Sequence, residues 1–185
     1  MKKIILSITV LCAALFGACQ NKKTNSTTQT VTCKENPRTA VATNLQGNWM
    51  YGHFSMTEYW SQNPSQYLGN ALQFAIAFKF NADGTYEQYF TSSSVIAGVT
   101  TYQQSVTKGT VVLDELNKTI KTYACTVHYK RTRNGKTIEE RDMAKSEITT
   151  ISNYNYTTGV EPNGTKAIYL TLGGTNSSLT FLQKF

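Results

Sequence analysis

Apolar and polar positions alternate through much of the chain, and the clearest run is LQFAIAFKFNADGTYEQYF, residues 72–90. Phe74, Ile76, Phe78 and Phe80 are spaced by Gln73, Ala75, Ala77 and Lys79. A period of two places the large groups on one face of a strand, and that face is the buried one. NADG, residues 81–84, supplies a type I turn, with Gly84 free to take a left-handed conformation and close a bulged hairpin. The register then sets Phe80 opposite Tyr86 and Ile76 opposite Phe90, so both strands present aromatics to the same side.

A second hairpin is centred on RNGK, residues 133–136, with Asn134-Gly135 in the central positions of a type I′ turn. A two-residue loop pairs Lys130 with Glu139, a favourable cross-strand charge pair. The alternate face of the first strand carries Tyr123, Cys125, Val127 and Tyr129, read as inward. Further strands are expected near 46–56, along TYQQSVTKGTVVLD as one strand or two with a bend at Gly109, along TKAIYLTL, and along SSLTFLQKF. One short helix is expected at NPSQYLGNAL, where Pro64 suits the first turn. The expected fold is all-β: an eight-stranded antiparallel up-and-down barrel with that single helix, because closure removes exposed strand edges.

The start of the chain follows a different rule. Met1, Lys2 and Lys3 precede an apolar stretch, Ile4 to Phe16, and small residues follow. That is a secretory signal, shorter than the roughly 20 residues of a spanning helix. FGAC, residues 16–19, resembles the lipobox of bacterial lipoproteins. The resemblance implies removal of residues 1–18 and a diacylglycerol on Cys19, with several acyl chains holding the protein durably at a membrane. Gln20, rather than Asp, points by the same resemblance to the outer membrane. Residues 19–44 are polar and rich in Thr, Asn and Ser, and read as a flexible tether. The domain is then 45–185.

Charge follows the same division. The whole chain is +7, yet residues 44–185 hold twelve Lys and Arg against ten Asp and Glu. The basic excess belongs to the address and the tether, which argues against a nucleic-acid footprint on the domain.

LQGNW, residues 45–49, opens the domain. Lipocalins carry a Gly-x-Trp there, matched by Gly47 and Trp49, and their tryptophan plugs the closed end of the barrel. LQGNW, FNADGTY and LTFLQKF together resemble the lipocalin-like, calycin-type domain of small bacterial lipoproteins. The resemblance spans about 45–185. It implies a lipid-anchored envelope protein whose barrel holds a small apolar or amphipathic ligand.

The candidate lining of such a barrel is Trp49, Tyr51, Phe74, Phe78, Tyr86, Phe90, Tyr123 and Tyr129. These side chains make either a packed core or a mostly apolar pocket with tyrosine hydroxyls as polar handles. In the first case the protein is a non-enzymatic interaction module that binds another envelope protein through its loops. No zinc spacing, phosphate-binding loop or nucleophile elbow is present, so no metal, cofactor or catalytic residue is assigned. Cys12 leaves with the signal and Cys19 takes lipid. Cys33 and Cys125 remain, either as a disulfide suited to an exported protein or with Cys125 a small buried free thiol.

Overall fold

The computed structural model describes residues 33–61 and 74–184. The signal, Cys19, most of the tether and the helix expected at 63–72 lie outside the described residues. Nine strands are described: β1 (Gly47–Tyr51), β2 (Phe74–Phe80), β3 (Thr85–Ile96), β4 (Val99–Asp114), β5 (Thr119–Arg133), β6 (Lys136–Asp142), β7 (Ile151–Val160), β8 (Lys166–Leu172) and β9 (Ser178–Lys184). All pairings are antiparallel, and eight strands close a barrel-like ring in the order β1-β2-β3-β4-β5-β7-β8-β9, with β9 returning to β1.

The first hairpin has the register its sequence dictates, with Phe80 opposite Tyr86 and Ile76 opposite Phe90. Gly84 takes φ +80°, and a Cβ there would collide with the Thr39 carbonyl. The second hairpin turns at Asn134 and Gly135, both at positive φ. Its register differs from the expected one. A bulge beyond Thr132 sets Arg131 opposite Glu139 and Lys130 opposite Glu140, so the Lys130–Glu139 pairing is not made.

β5 has two partners on one edge. Residues 128–133 pair with β6, whereas residues 119–123 pair with β7. β6 therefore stands outside the ring, and β7 takes its place within it. ISNYNYTTGV, residues 151–160, has no clear apolar period, and Tyr156 is its one fully buried side chain. Neighbouring strands, rather than its own pattern, make it a strand. TYQQSVTKGTVVLD is a single strand through Gly109.

The ring interior holds Trp49, Phe78, Phe80, Tyr86, Val111, Ile120, Ile168, Leu170 and Phe181 in one buried cluster. Trp49 is 1% exposed and its indole Nε1–H donates to the Leu45 carbonyl at 2.8 Å. A second apolar layer lies on the outer face of β1 to β4. Met50, Ala75, Ala77, Tyr102 and Val106 are covered there by Phe54 and Tyr59 from the connection after β1. The Gln104 side-chain amide donates to the Tyr59 carbonyl, and the Tyr59 hydroxyl donates to the Ser105 carbonyl at 2.8 Å. Burial raises the Tyr59 pKa well above the ordinary phenol value, so the hydroxyl stays a donor.

The ordered domain begins before Leu45, which corrects the expected end of the tether. Val41 and Leu45 are buried in the inner core. Thr39 N–H donates to the Val111 carbonyl at 3.0 Å, and the Thr110 hydroxyl donates to the Pro37 carbonyl at 2.8 Å. Two apolar anchors and these bonds offset the entropy of fixing a polar segment.

Trp49→Ala removes a large, fully buried ring and its hydrogen bond. The expected loss is about 3–5 kcal/mol, read from the shift in urea midpoint. A loss below about 1 kcal/mol, the scale of an ordinary surface substitution, would mean that the ring interior does not depend on it.

Candidate functional site

The eight candidate lining residues divide into three groups. Trp49, Phe78 and Tyr86 sit in the packed interior, with Tyr51 against it. The Tyr51 ring lies 5.4 Å from Phe74 and 6.0 Å from Phe181. Burial pushes the Tyr86 phenol up to about 12. Phe90 and Tyr129 are half-buried and lie farther along, each in register with Ser105. Tyr123 is not with them.

The reason is a bulge in β5. Lys108 pairs with Thr126 and Gly109 with Ala124, which leaves Cys125 as an extra residue. Before the bulge Ile120 and Thr122 are the buried positions, and after it Cys125 and Val127 are. One extra residue exchanges the two faces of a strand. Val127 and Tyr129 therefore keep the expected inward face, but Tyr123 turns to the outer one and Cys125 points to the edge. Gly109 makes the bulge possible, since a Cβ there would run into the Tyr123 carbonyl.

At that edge Cys33 and Cys125 form a disulfide, 92 residues apart in sequence with Cα atoms separated by 5.8 Å. Asn36 Nδ2 donates to Cys125 Sγ at 3.1 Å. Beside the bridge, where β6 has left β5 and β7 has just joined it, lies a cavity of about 360 Å³. Tyr123, Ala124, Ile148 and Ile151 supply its apolar wall, while Glu35, Asn36, Lys145 and Thr150 supply polar groups. Inside the ring the interior cavity described is about 60 Å³, lined by Ile76, Phe78, Tyr154, Leu170, Leu172, Ser177, Leu179 and Phe181.

The loop between β6 and β7 forms one rim of the outer cleft. Arg141 donates two parallel bonds to Glu147, each 2.7 Å, and Glu147 also accepts the Ala144 N–H at 2.8 Å. The Arg141 guanidinium, then the Ala144 N–H, hold the Glu147 carboxyl at about 2. Lys145, next to this clamp, is thereby placed at the cleft.

His128 is the other cluster of titratable chemistry. Its Nδ1 lies 2.9 Å from Asp142 and its Nε2 3.7 Å from Glu140. Its ring packs edge-on to Trp60 at 4.9 Å. Asp142 is hydrogen-bonded to Nδ1, whereas Glu140 stands at ion-pair distance from Nε2. Glu140 and Asp142 thus face His128 and Lys130 rather than the ring interior. Among the described residues, no group of three His, Cys, Asp or Glu side chains is placed to hold a metal. No protein-family model and no curated protein matches the chain.

The cysteine count pointed to one end of the cleft. Lys145, Ile148 and Ile151 were not legible, because neither the bulge nor the exit of β6 from the ring has a sequence signature.

Reduction of the disulfide, or the Cys33→Ser/Cys125→Ser pair, opens a loop of 92 residues. The loop-entropy account gives a loss of about 4–5 kcal/mol, read as a fall in urea midpoint equal for the reduced wild type and the double variant. The Glu147 carboxyl is predicted to titrate near 2 rather than in the ordinary Glu range. Its folded value is depressed, so its contribution is complete above the ordinary value and is lost as pH falls through about 2. Carboxyl-carbon NMR reads the midpoint, and Arg141→Gln should return it to the ordinary range.

Proposed function

We propose that the protein is a non-enzymatic, lipid-anchored component of a bacterial cell envelope, and that its ring is a filled scaffold whose outer surface binds another envelope protein. One observation carries this reading. The ring interior is packed around Trp49, Phe78, Ile168 and Phe181, each 2% exposed or less, and the cavity beside them is about 60 Å³. Sites for small molecules are usually several hundred Å³. The roomier hollow, about 360 Å³, is on the outside beside the disulfide.

The cleft suits part of a polypeptide. Tyr123, Ile148 and Ile151 offer an apolar seat, and Glu35 and Lys145 offer one charge of each sign at its edge. The bridge fixes the N-terminal rim and the Arg141–Glu147 clamp fixes the opposite one. Little ordering is then left to oppose binding. The address rests on the basic start, the short apolar run and FGAC, with Cys19 the acylated residue and the outer membrane the destination.

A second reading retains the ring as a carrier of a small apolar or amphipathic ligand, with Trp49, Tyr51, Phe74, Phe78, Tyr86, Phe90 and Tyr129 as its lining. The apolar walls of the inner cavity favour it, but the ring would have to expand to admit a ligand.

Cys19→Ser should abolish both the lipid mass and membrane fractionation; retention of either removes the anchor. A photo-crosslinking side chain at Ile151 in cells should give one discrete protein adduct, lost when Ile148→Asp is added. The same group at Val160, exposed at the far end of β7, should give none. An environment-sensitive apolar dye should show no enhancement with the purified protein. Strong enhancement, abolished by Leu170→Trp, would instead favour the carrier.

A further inference from the structure

The long strands β3, β4 and β5 carry two hairpin tips to the same end of the molecule. The β3–β4 tip is Val95-Ile96-Ala97-Gly98-Val99, and the β5–β6 tip is Arg133-Asn134-Gly135-Lys136. They are tied together: the Asn134 N–H donates to the Thr100 carbonyl at 2.8 Å, and the Thr100 N–H donates to the Asn134 side-chain carbonyl at 2.9 Å. Arg133 lies directly across from Thr101. The two turns therefore form one hydrogen-bonded surface.

That surface is unusual in its chemistry. Val95 is 67% exposed and Ile96 74%, and Ile138, displaced by the β6 bulge, is 49% exposed. Turn positions at positive φ favour Gly, Asn or Asp, yet Ala97 occupies one at φ +49°. Arg133 and Lys136 are both exposed beside this apolar group. Residues 88–113 and 132–138 contain no Asp or Glu. Two other exposed large apolar residues have acidic neighbours: Leu116 follows Asp114 and Glu115, and Val160 precedes Glu161. At the tip itself, Val95 and Ile96 beside Arg133 and Lys136, with the nearest carboxylates in sequence at Glu139 and Glu140 past Ile138, match the boundary between acyl chains and anionic headgroups.

We propose that the joined β3–β4 and β5–β6 tips dock on an anionic phospholipid surface, inserting Val95 and Ile96 while Arg133 and Lys136 pair with lipid phosphates. The inference rests on the lipid-anchored reading for its geometry. Cys19 lies 14 residues before Cys33, a span of at most about 50 Å when extended. The disulfide fixes Cys33 to Cys125, and Arg133 is eight residues farther along β5, about 26 Å at the strand rise. The 14-residue span is therefore long enough to permit both attachments at once. Anchor and tip together would hold the domain upright, with two attachments instead of one.

The test uses the full acylated chain in vesicles of phosphatidylcholine, with or without phosphatidylglycerol, and Ile96→Trp as reporter. Wild-type emission from Trp49 and Trp60 is subtracted. Brominated acyl chains should quench the added emission in phosphatidylglycerol vesicles, and strong salt should relieve the quenching. Arg133→Gln with Lys136→Gln should weaken tip docking about 30-fold, from two surface charges. A reporter that stays unquenched while the chain floats with the vesicles overturns the proposal and leaves the anchor intact. Quenching by a chain that carries no lipid mass supports the tip and removes the anchor. An unquenched tip that instead binds an acidic protein overturns the proposal in favour of that partner.

Discussion

A single extra residue in β5 governs the outer surface. With Cys125 unopposed, the inward set passes from Ile120 and Thr122 to Val127 and Tyr129. The same irregularity brings Cys125 to the edge, where Cys33 can reach it, and turns Tyr123 outward to floor the cleft. It also divides the strand edge, with β7 below the bulge and β6 above it. Gly109 is the counterpart on β4, the position where the Tyr123 carbonyl takes the place of a side chain. Without that glycine the bulge would have to move, and the disulfide, the cleft and the fork would lose their common geometry.

What the sequence made legible follows from how local each signal is. The β2–β3 register was readable because a strict period of two meets NADG within 20 residues, and Phe80 opposite Tyr86 is the result. The ring was readable from the number of such segments. Strand β7 was not, because Ile151, Tyr154 and Tyr156 are interleaved with Asn, Ser and Thr and do not share one parity. Its position is set by β5 and β8 on either side. The inward placement of Tyr123 assumed an unbroken period, and one bulge reverses that assumption. The Lys130–Glu139 register fails in the same way, at the second bulge.

The candidate site was less legible than the fold because its parts come from distant positions. Cys33 and Cys125 could be counted, but their bridge depends on the bulge. Lys145 is held by a clamp between Arg141 and Glu147 that reads in sequence only as mixed charge. The core residues, by contrast, announced themselves. Trp49, Phe78 and Tyr86 were expected inside, and they are inside. The remaining question was whether inside means pocket or packing, and alternation along a strand has no information on volume.

The architecture separates work by region. A ring filled with large side chains is poorly compressible and has few alternative packings, so it transmits position without itself changing shape. The N-terminal segment is locked to it three ways: by the disulfide, by Val41 and Leu45 in the core, and by backbone bonds to β4. A pull on that segment is therefore delivered to β4 and β5, the two longest strands, rather than to a frayed end. Those strands carry the cleft at mid-length and the apolar, basic tip at one end. Under the proposed anchoring, orientation imposed at the N-terminal segment would set where both surfaces face. For a protein held at a surface as proposed, a filled ring would keep attachment, cleft and tip in a rigid relation, and a ring that swelled to admit a ligand would weaken it.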